Sequence, residues 1–201
     1  MTSAGVTGPP VGRADVVAAL LAGEVVLLPT DTVYGLAVIP TIPGATQKLF
    51  DRKGRDRTVP IAVLVADADQ AWSVAGRPVS ASALGLAARF WPGALTLVVD
   101  RDPDWPGDIG DGPATVGLRC PDHDMVRGLC REVGPLATTS ANAHGMATPA
   151  TAAEALAQVG SVEVAVDTGP LRGAPSTVVD CTGPALRVLR EGAVDVSRLT
   201  L

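Results

Sequence analysis

Apolar residues recur along this chain in two rhythms, and the switches between them divide it into elements. Over residues 14–22, Val16, Val17, Leu20 and Leu21 fall on one side of a helix that Gly23 ends. Residues 25–28 are an unbroken branched run between Gly23 and Pro29, the mark of a short buried strand. Helical spacing returns over 43–52, with Pro43 near the first turn and Ala45, Leu49 and Phe50 inward, and again over 80–89, where Pro92 and Gly93 stop it. Residues 60–66, 94–99 and 115–120 read as strands. Between the last two, residues 100–113 with Pro103, Pro106 and Pro113 form a loop and a candidate lid. A helix runs from Pro121 to about Val133, where Gly134-Pro135 breaks it. Another opens at Thr148-Pro149, with Thr151 and Glu154 as a capping box. Residues 162–167, 176–181 and 185–190 then read as three strands.

Helices and strands alternate early and strands crowd together late, which predicts an α/β domain of the α+β type: a twisted mixed sheet with helices around it. At 201 residues and 47% apolar content the chain is long enough for one large domain, taken as 13–201 behind a flexible N-terminal lead-in over 1–12. That lead-in has no basic start and no apolar core, and no run reaches the roughly 18 apolar residues of a membrane span. Three cysteines cannot all pair and no CxxC occurs, so neither a disulfide framework nor a zinc ribbon is indicated. A reducing, cytoplasmic location is expected.

The net charge of -5 excludes wholesale electrostatic binding to nucleic acid and leaves room only for a local basic cleft. Such a cleft has an obvious source in Lys53-Gly54-Arg55-Asp56-Arg57, with Arg52 adding a further charge. Only Lys48 and Lys53 among the 16 basic residues are lysines. The basic segment follows by about twenty residues a cluster of hydroxyls, Thr30-Asp31-Thr32-Val33-Tyr34, at the end of the first strand. Ligands in open α/β sheets collect beyond such strand ends. Residues 136–142 repeat the pattern, an apolar entry giving way to Thr138, Thr139, Ser140 and Asn142. The two clusters read as halves of one site and the basic segment as a phosphate clamp.

The common catalytic motifs are missing. Neither lysine follows a glycine, which excludes a P-loop, and there is no GxSxG elbow and no HExxH. Residues 107–112 lack the spacing of a dinucleotide fingerprint. Cys120-Pro121-Asp122-His123 reads as a buried strand cysteine and a helix-cap histidine, and His144 as a surface residue.

Six blocks in order carry a resemblance: Pro29-Thr30-Asp31-Thr32-Val33-Tyr34-Gly35-Leu36, Lys53-Gly54-Arg55, Phe90-Trp91-Pro92-Gly93-Ala94-Leu95-Thr96, Val116-Gly117-Leu118-Arg119-Cys120-Pro121, Ser140-Ala141-Asn142 and Ser176-Thr177-Val178-Val179-Asp180. Together they resemble the YrdC-type domain of threonylcarbamoyl-AMP synthases. The resemblance implies a twisted sheet around a concave basic cavity. It also implies synthesis of threonylcarbamoyl-adenylate from L-threonine, bicarbonate and ATP with release of pyrophosphate, as the first step toward N6-threonylcarbamoyladenosine in tRNA. By the same resemblance Thr32, Arg119, Thr138 and Ser176 contact threonine. Lys53, Arg55, Thr115, Ser140, Asn142, Thr148 and Arg190 contact the nucleotide, with Lys53 and Arg55 catalytic. This chain departs from the family pattern at Asp56 and Val59, where a proline and a polar residue are usual, and at Leu64, where many members carry a histidine.

No covalent nucleophile or acid/base dyad is legible, so catalysis by positioning and charge is expected. Magnesium is expected to arrive with ATP rather than in a protein cage, with Asp31 touching it through water at most. The product is expected to pass to the tRNA-modifying threonylcarbamoyl transferase machinery, with a weak tRNA contact of its own. Two other classes share parts of the pattern: a diverged paralogue binding RNA on the same surface, and a carbamoyltransferase forming carbamoyl-adenylate. Pyrophosphate release and substrate choice separate them.

Overall fold

The computed structural model describes residues 11–143 and 145–199. The 1–12 lead-in, apart from its last two residues, and His144 lie outside the described residues. The rest folds around a nine-stranded mixed sheet of order β7-β1-β2-β6-β3-β5-β4-β8-β9. Its strands are β1 (Val26–Leu28), β2 (Gly35–Val38), β3 (Ala62–Leu64), β4 (Leu95–Asp100), β5 (Thr115–Arg119), β6 (Leu136–Ser140), β7 (Val164–Ala165), β8 (Thr177–Asp180) and β9 (Arg187–Arg190). The helices are α1 (Arg13–Leu21), α2 (Ala45–Lys53), α3 (Ala68–Trp72), α4 (Ala81–Phe90), α5 (Asp124–Val133) and α6 (Ala152–Val159). Parallel pairs (β1 with β7, β3 with β5, β4 with β8) are interspersed with antiparallel ones, as the sequence predicts for a mixed sheet.

Side chains alternate across the strands with period two, and this alternation makes the site. On one face Leu27, Leu36, Val63, Leu97, Leu118, Ala137 and Val179 pack against α2, α4 and α6, where Leu49, Phe50, Leu86 and Ala155 are buried. Burial on this scale is worth about 1.5–3 kcal/mol for each large side chain. On the opposite face α1 and α5 cover only one end, with Val16, Leu20, Val126 and Leu129 over Val26, Leu28, Ala37 and Leu136. Among the described residues no helix covers the remainder of that face, which lines a cavity instead. Small residues form its floor: Gly35 on β2, Ala62 on β3 and Gly117 on β5.

Several boundaries differ from the sequence reading for local reasons. Helix α2 starts at Ala45 because Gly44 sits in the left-handed region at φ 79°, and it runs on to Lys53, so the first cation of the basic segment is its last residue. Helix α5 begins at Asp124 rather than Pro121, with His123 at its N-cap and Cys120 buried just after β5. At α6 Thr151 caps the Glu154 N–H at 3.1 Å, but the Glu154 carboxylate accepts the Ala150 N–H at 2.8 Å instead of closing the box on Thr151. Strand β2, helix α3 and a 3-10 turn at Val196–Arg198 were not legible as elements, being too short to show a period. Among the described residues no helix is long and apolar enough to cross a membrane.

The loop over 100–113 is fixed rather than a lid. Ile109 is fully buried, Arg101 donates to the Trp105 and Gly107 carbonyls at 2.9 Å, and Arg57 grips Asp108 and Asp111 at 2.8 Å. No residue of the loop lines the cavity. The basic segment therefore divides. Arg57 is a structural clasp, stacked over Phe50 at 5.0 Å, and Arg52 reaches the Val159 and Ser161 carbonyls past the end of α6.

Candidate active site

The open face of the sheet encloses a cavity of about 570 Å³. Its first wall is the turn after β1. Thr30 Oγ1 accepts the N–H groups of Thr32 and Val33 at 3.1 Å and donates to the Val33 carbonyl at 2.7 Å, which folds the chain straight back into β2. That turn presents Thr32 and Asp31 to Arg119, the last residue of β5. The guanidinium donates to Thr32 Oγ1 at 2.8 Å, to the Asp31 carboxylate at 2.6 Å and to the Gly93 carbonyl at 3.0 Å. Arginine has five N–H donors, so two remain, one on each terminal nitrogen, for a carboxylate. Burial lowers the Arg119 pKa and Asp31 opposes that shift. Asp31 is thus held by Arg119 through one of its carboxylate oxygens.

Tyr34 leaves the site altogether. Its side chain is fully buried, and its hydroxyl lies 2.7 Å from the Gly169 carbonyl and 3.1 Å from Asp167 while accepting the Thr168 N–H at 3.1 Å. The lone tyrosine fastens the 167–169 turn to β2. Gly173 lies in the chain that follows, so close to the Thr32 carbonyl that a Cβ would be 2.6 Å from that oxygen. Only glycine allows this approach.

The second half of the site comes from β6, β8, β9 and the end of α2. Ser140 Oγ donates to Asn142 Oδ1 at 2.6 Å, and Asn142 Nδ2 donates to the Met146 carbonyl at 2.7 Å. Lys53 Nζ donates to Asn142 Oδ1 at 2.9 Å and to its carbonyl, so the lysine sits behind the cavity wall and braces it. Arg55 curls onto its own loop, donating to the Val59 and Pro60 carbonyls at 3.0 and 2.8 Å. Arg190 donates through Nε and Nη2 to the Ser176 carbonyl, at 3.1 and 2.9 Å. Thr138 gives its proton to the Leu36 carbonyl at 3.0 Å and so offers lone pairs inward.

Of the residues expected from the sequence, Thr32, Arg55, Thr115, Arg119, Thr138, Ser140, Asn142, Thr148, Ser176 and Arg190 all line this one cavity. Lys53 alone does not. The lining also holds Thr30, from the first hydroxyl cluster, and Thr96, which the sequence reading assigned no role. Leu64 lines it too, at the departure noted above, and Pro60 follows Val59 at the rim.

Electrostatically the cations form a row. Burial lowers the pKa of Lys53 to about 8, with Arg55 contributing. Burial lowers Arg55, with Arg190 contributing, and burial lowers Arg190, with Arg119 contributing. Among the described residues the cavity lining has three arginines and no carboxylate side chain. Cations held together and partly desolvated are most stable with an anion between them.

A mixed sheet whose uncovered face holds a cavity lined by arginines and hydroxyls defines an α/β domain of the YrdC-like class. The chain belongs to the Sua5/YciO/YrdC family, whose family model, described as telomere recombination, matches residues 18–192. A Mycobacterium tuberculosis relative is 42% identical over 193 residues, covering 94% of this chain and 87% of its own length. The threonylcarbamoyl-AMP synthase of Bacillus subtilis is 39% identical over 186 residues, covering 90% of this chain and 53% of its own. The structure of Pyrococcus abyssi Sua5 complexed with L-threonine superposes with a TM-score of 0.84 at 32% identity, covering 93% of this chain and 55% of that one. The chain spans about half the length of the Bacillus and Pyrococcus proteins.

Proposed function

We propose that this chain is an enzyme that makes L-threonylcarbamoyladenylate from L-threonine, bicarbonate and ATP, releasing pyrophosphate as a nucleotidyltransferase does. The observation that carries this reading is the single cavity in which a carboxylate-ready guanidinium, Arg119 with Thr32, and two further arginines, Arg55 and Arg190, form one row. A zwitterionic amino acid and a triphosphate are the ligands such a row accommodates together. The names of the relatives support the same activity.

In this reading Arg119 takes the threonine carboxylate with its two spare donors, and the hydroxyls of Thr32 and Thr138 meet the substrate hydroxyl. The amine and bicarbonate form N-carboxythreonine and water. A carboxylate oxygen of that species then attacks the α-phosphorus of ATP. The bond from the α-phosphorus to the bridging oxygen breaks, and pyrophosphate leaves with the electron pair. Arg55 and Arg190 stabilise the charge gathering on the pyrophosphate, with Lys53 bracing Asn142 behind the wall. The lining offers no carboxylate, so magnesium travels with ATP as part of the substrate, held by phosphate oxygens. The adenylate would serve the transferase machinery that modifies tRNA.

Substrate choice tests the reading. A pocket that pairs a substrate hydroxyl rejects an analogue lacking it, because its own polar groups are left without partners. Pyrophosphate release should therefore require bicarbonate, be fastest with threonine and slower with serine. Valine should give little above background. Equal turnover with valine and threonine would overturn the assignment.

A further inference from the structure

Within the row of cations, the hydroxyls of Thr96 and Ser176 leave one proton unassigned. Thr96 Oγ1 and Ser176 Oγ are 2.8 Å apart, and both residues are buried. Arg190 donates from Nη2 to Ser176 Oγ at 3.1 Å. A hydroxyl has one proton and two lone pairs. If Ser176 donates to Thr96, the Thr96 proton has no acceptor among the described residues. If Thr96 donates to Ser176, both lone pairs of Ser176 Oγ are filled, by Thr96 and by Arg190, and the Ser176 proton is the one left over. Either way one O–H of the pair is uncommitted, polarised by a neighbouring guanidinium, and both residues line the cavity.

The place of the pair in the sheet selects its ligand. Leu97 of β4 stands opposite Leu118 of β5, so Thr96, one residue along, falls beside Arg119 on the cavity face. Ser176, just before β8, holds Arg190 on the other side. The Thr96 methyl lies 3.4 Å from where a Cβ on Gly117 would be, an ordinary contact that seats the methyl over the bare backbone of β5. A spare hydroxyl proton between two arginines calls for an acceptor with negative charge. In the reaction above, the group that must lie between the threonine carboxylate and the α-phosphate is the carboxylate derived from bicarbonate.

We propose that the Thr96–Ser176 pair binds this carboxylate, its spare proton donated to one carboxylate oxygen, so that Thr96 is a substrate-contacting residue. The inference rests on the function proposed above and assigns the bicarbonate carbon its seat within it. Bicarbonate KM at saturating threonine and ATP measures it directly. Thr96→Val keeps the β-branched shape and removes the donor. It should raise the bicarbonate KM about tenfold or more, since a hydrogen bond to a charged group is worth that much. The KM values for threonine and ATP should move less than about threefold, the size of a weak indirect effect. Thr96→Ser should return the bicarbonate KM close to that of the wild type. If Thr96→Val fails to fold, Thr96→Ala, which also removes the donor, carries the same expectation. A bicarbonate KM unchanged in Thr96→Val, or an equal rise in all three KM values, overturns the proposal while leaving the function standing. A wild type that forms no product from the three substrates overturns both.

Discussion

With Arg55 replaced by alanine, kcat for pyrophosphate release is expected to fall about a hundredfold or more while the fold stays intact. Preorganised stabilisers of a leaving anion are worth roughly 3–4 kcal/mol. Arg55 has its Nε and one Nη2 proton on loop carbonyls and the rest of its fork free toward the cavity. Arg55→Lys should recover only part of the rate, because an ammonium keeps the charge without the planar fork. Lys53→Ala should fall comparably by a different route, through loss of the brace on Asn142. Since burial brings the Lys53 pKa down to about 8, its charge is present below that pH and lost above it. ATP binding favours the charged form, so kcat/KM for ATP should decline as pH rises through 8, and Lys53→Arg should remove that decline. Stopped assays of pyrophosphate with circular dichroism on each variant check these outcomes. Near-normal release by both alanine variants would reject the phosphate-clamp role and leave Lys53 and Arg55 as braces of the wall and loop.

Arg119→Ala should have the largest effect on amino-acid binding. Arg119 is 6% exposed and makes three side-chain hydrogen bonds in the free protein, so its geometry is set before substrate arrives. Losing a charge-assisted pair to the threonine carboxylate corresponds to roughly tenfold to a hundredfold in affinity. ATP affinity should change far less, because Arg55 and Arg190 remain in the lining. The variant should also melt at a lower temperature, because the three hydrogen bonds of the Arg119 side chain are lost. Separate calorimetric titrations with threonine and ATP, below the melting range, decide the matter. Equal losses for both ligands would reject the assignment of Arg119 to the threonine carboxylate.

What could be read in the sequence was mostly what has a period or a composition. The runs at 94–99 and 115–120 alternate between apolar residues and Thr96, Gly117 and Arg119, and that alternation is the division between helix-packed and cavity faces. The hydroxyl clusters at 30–32 and 138–142 were legible because each follows a strand. Tyr34 was misread with them, since nothing in a linear string tells whether the residue opening β2 points into the cavity or into the core. The basic segment split for the same reason. Helix α2 ends between Arg52 and Gly54, and the helical phase sends Arg52 toward the end of α6 while Arg57 answers acids over fifty residues away. Thr96 lay inside a recognised block, but its partner Ser176 is 80 residues distant, and only the parallel pairing of β4 with β8 brings them together.

The most direct measurement is mass spectrometry of the product formed by the full chain from ATP, isotope-labelled bicarbonate and labelled threonine. An adenylate carrying both labels, formed with one pyrophosphate per molecule and absent when either threonine or bicarbonate is withheld, is the predicted result. ATP left intact in the complete mixture, or an adenylate lacking the bicarbonate carbon, would contradict it.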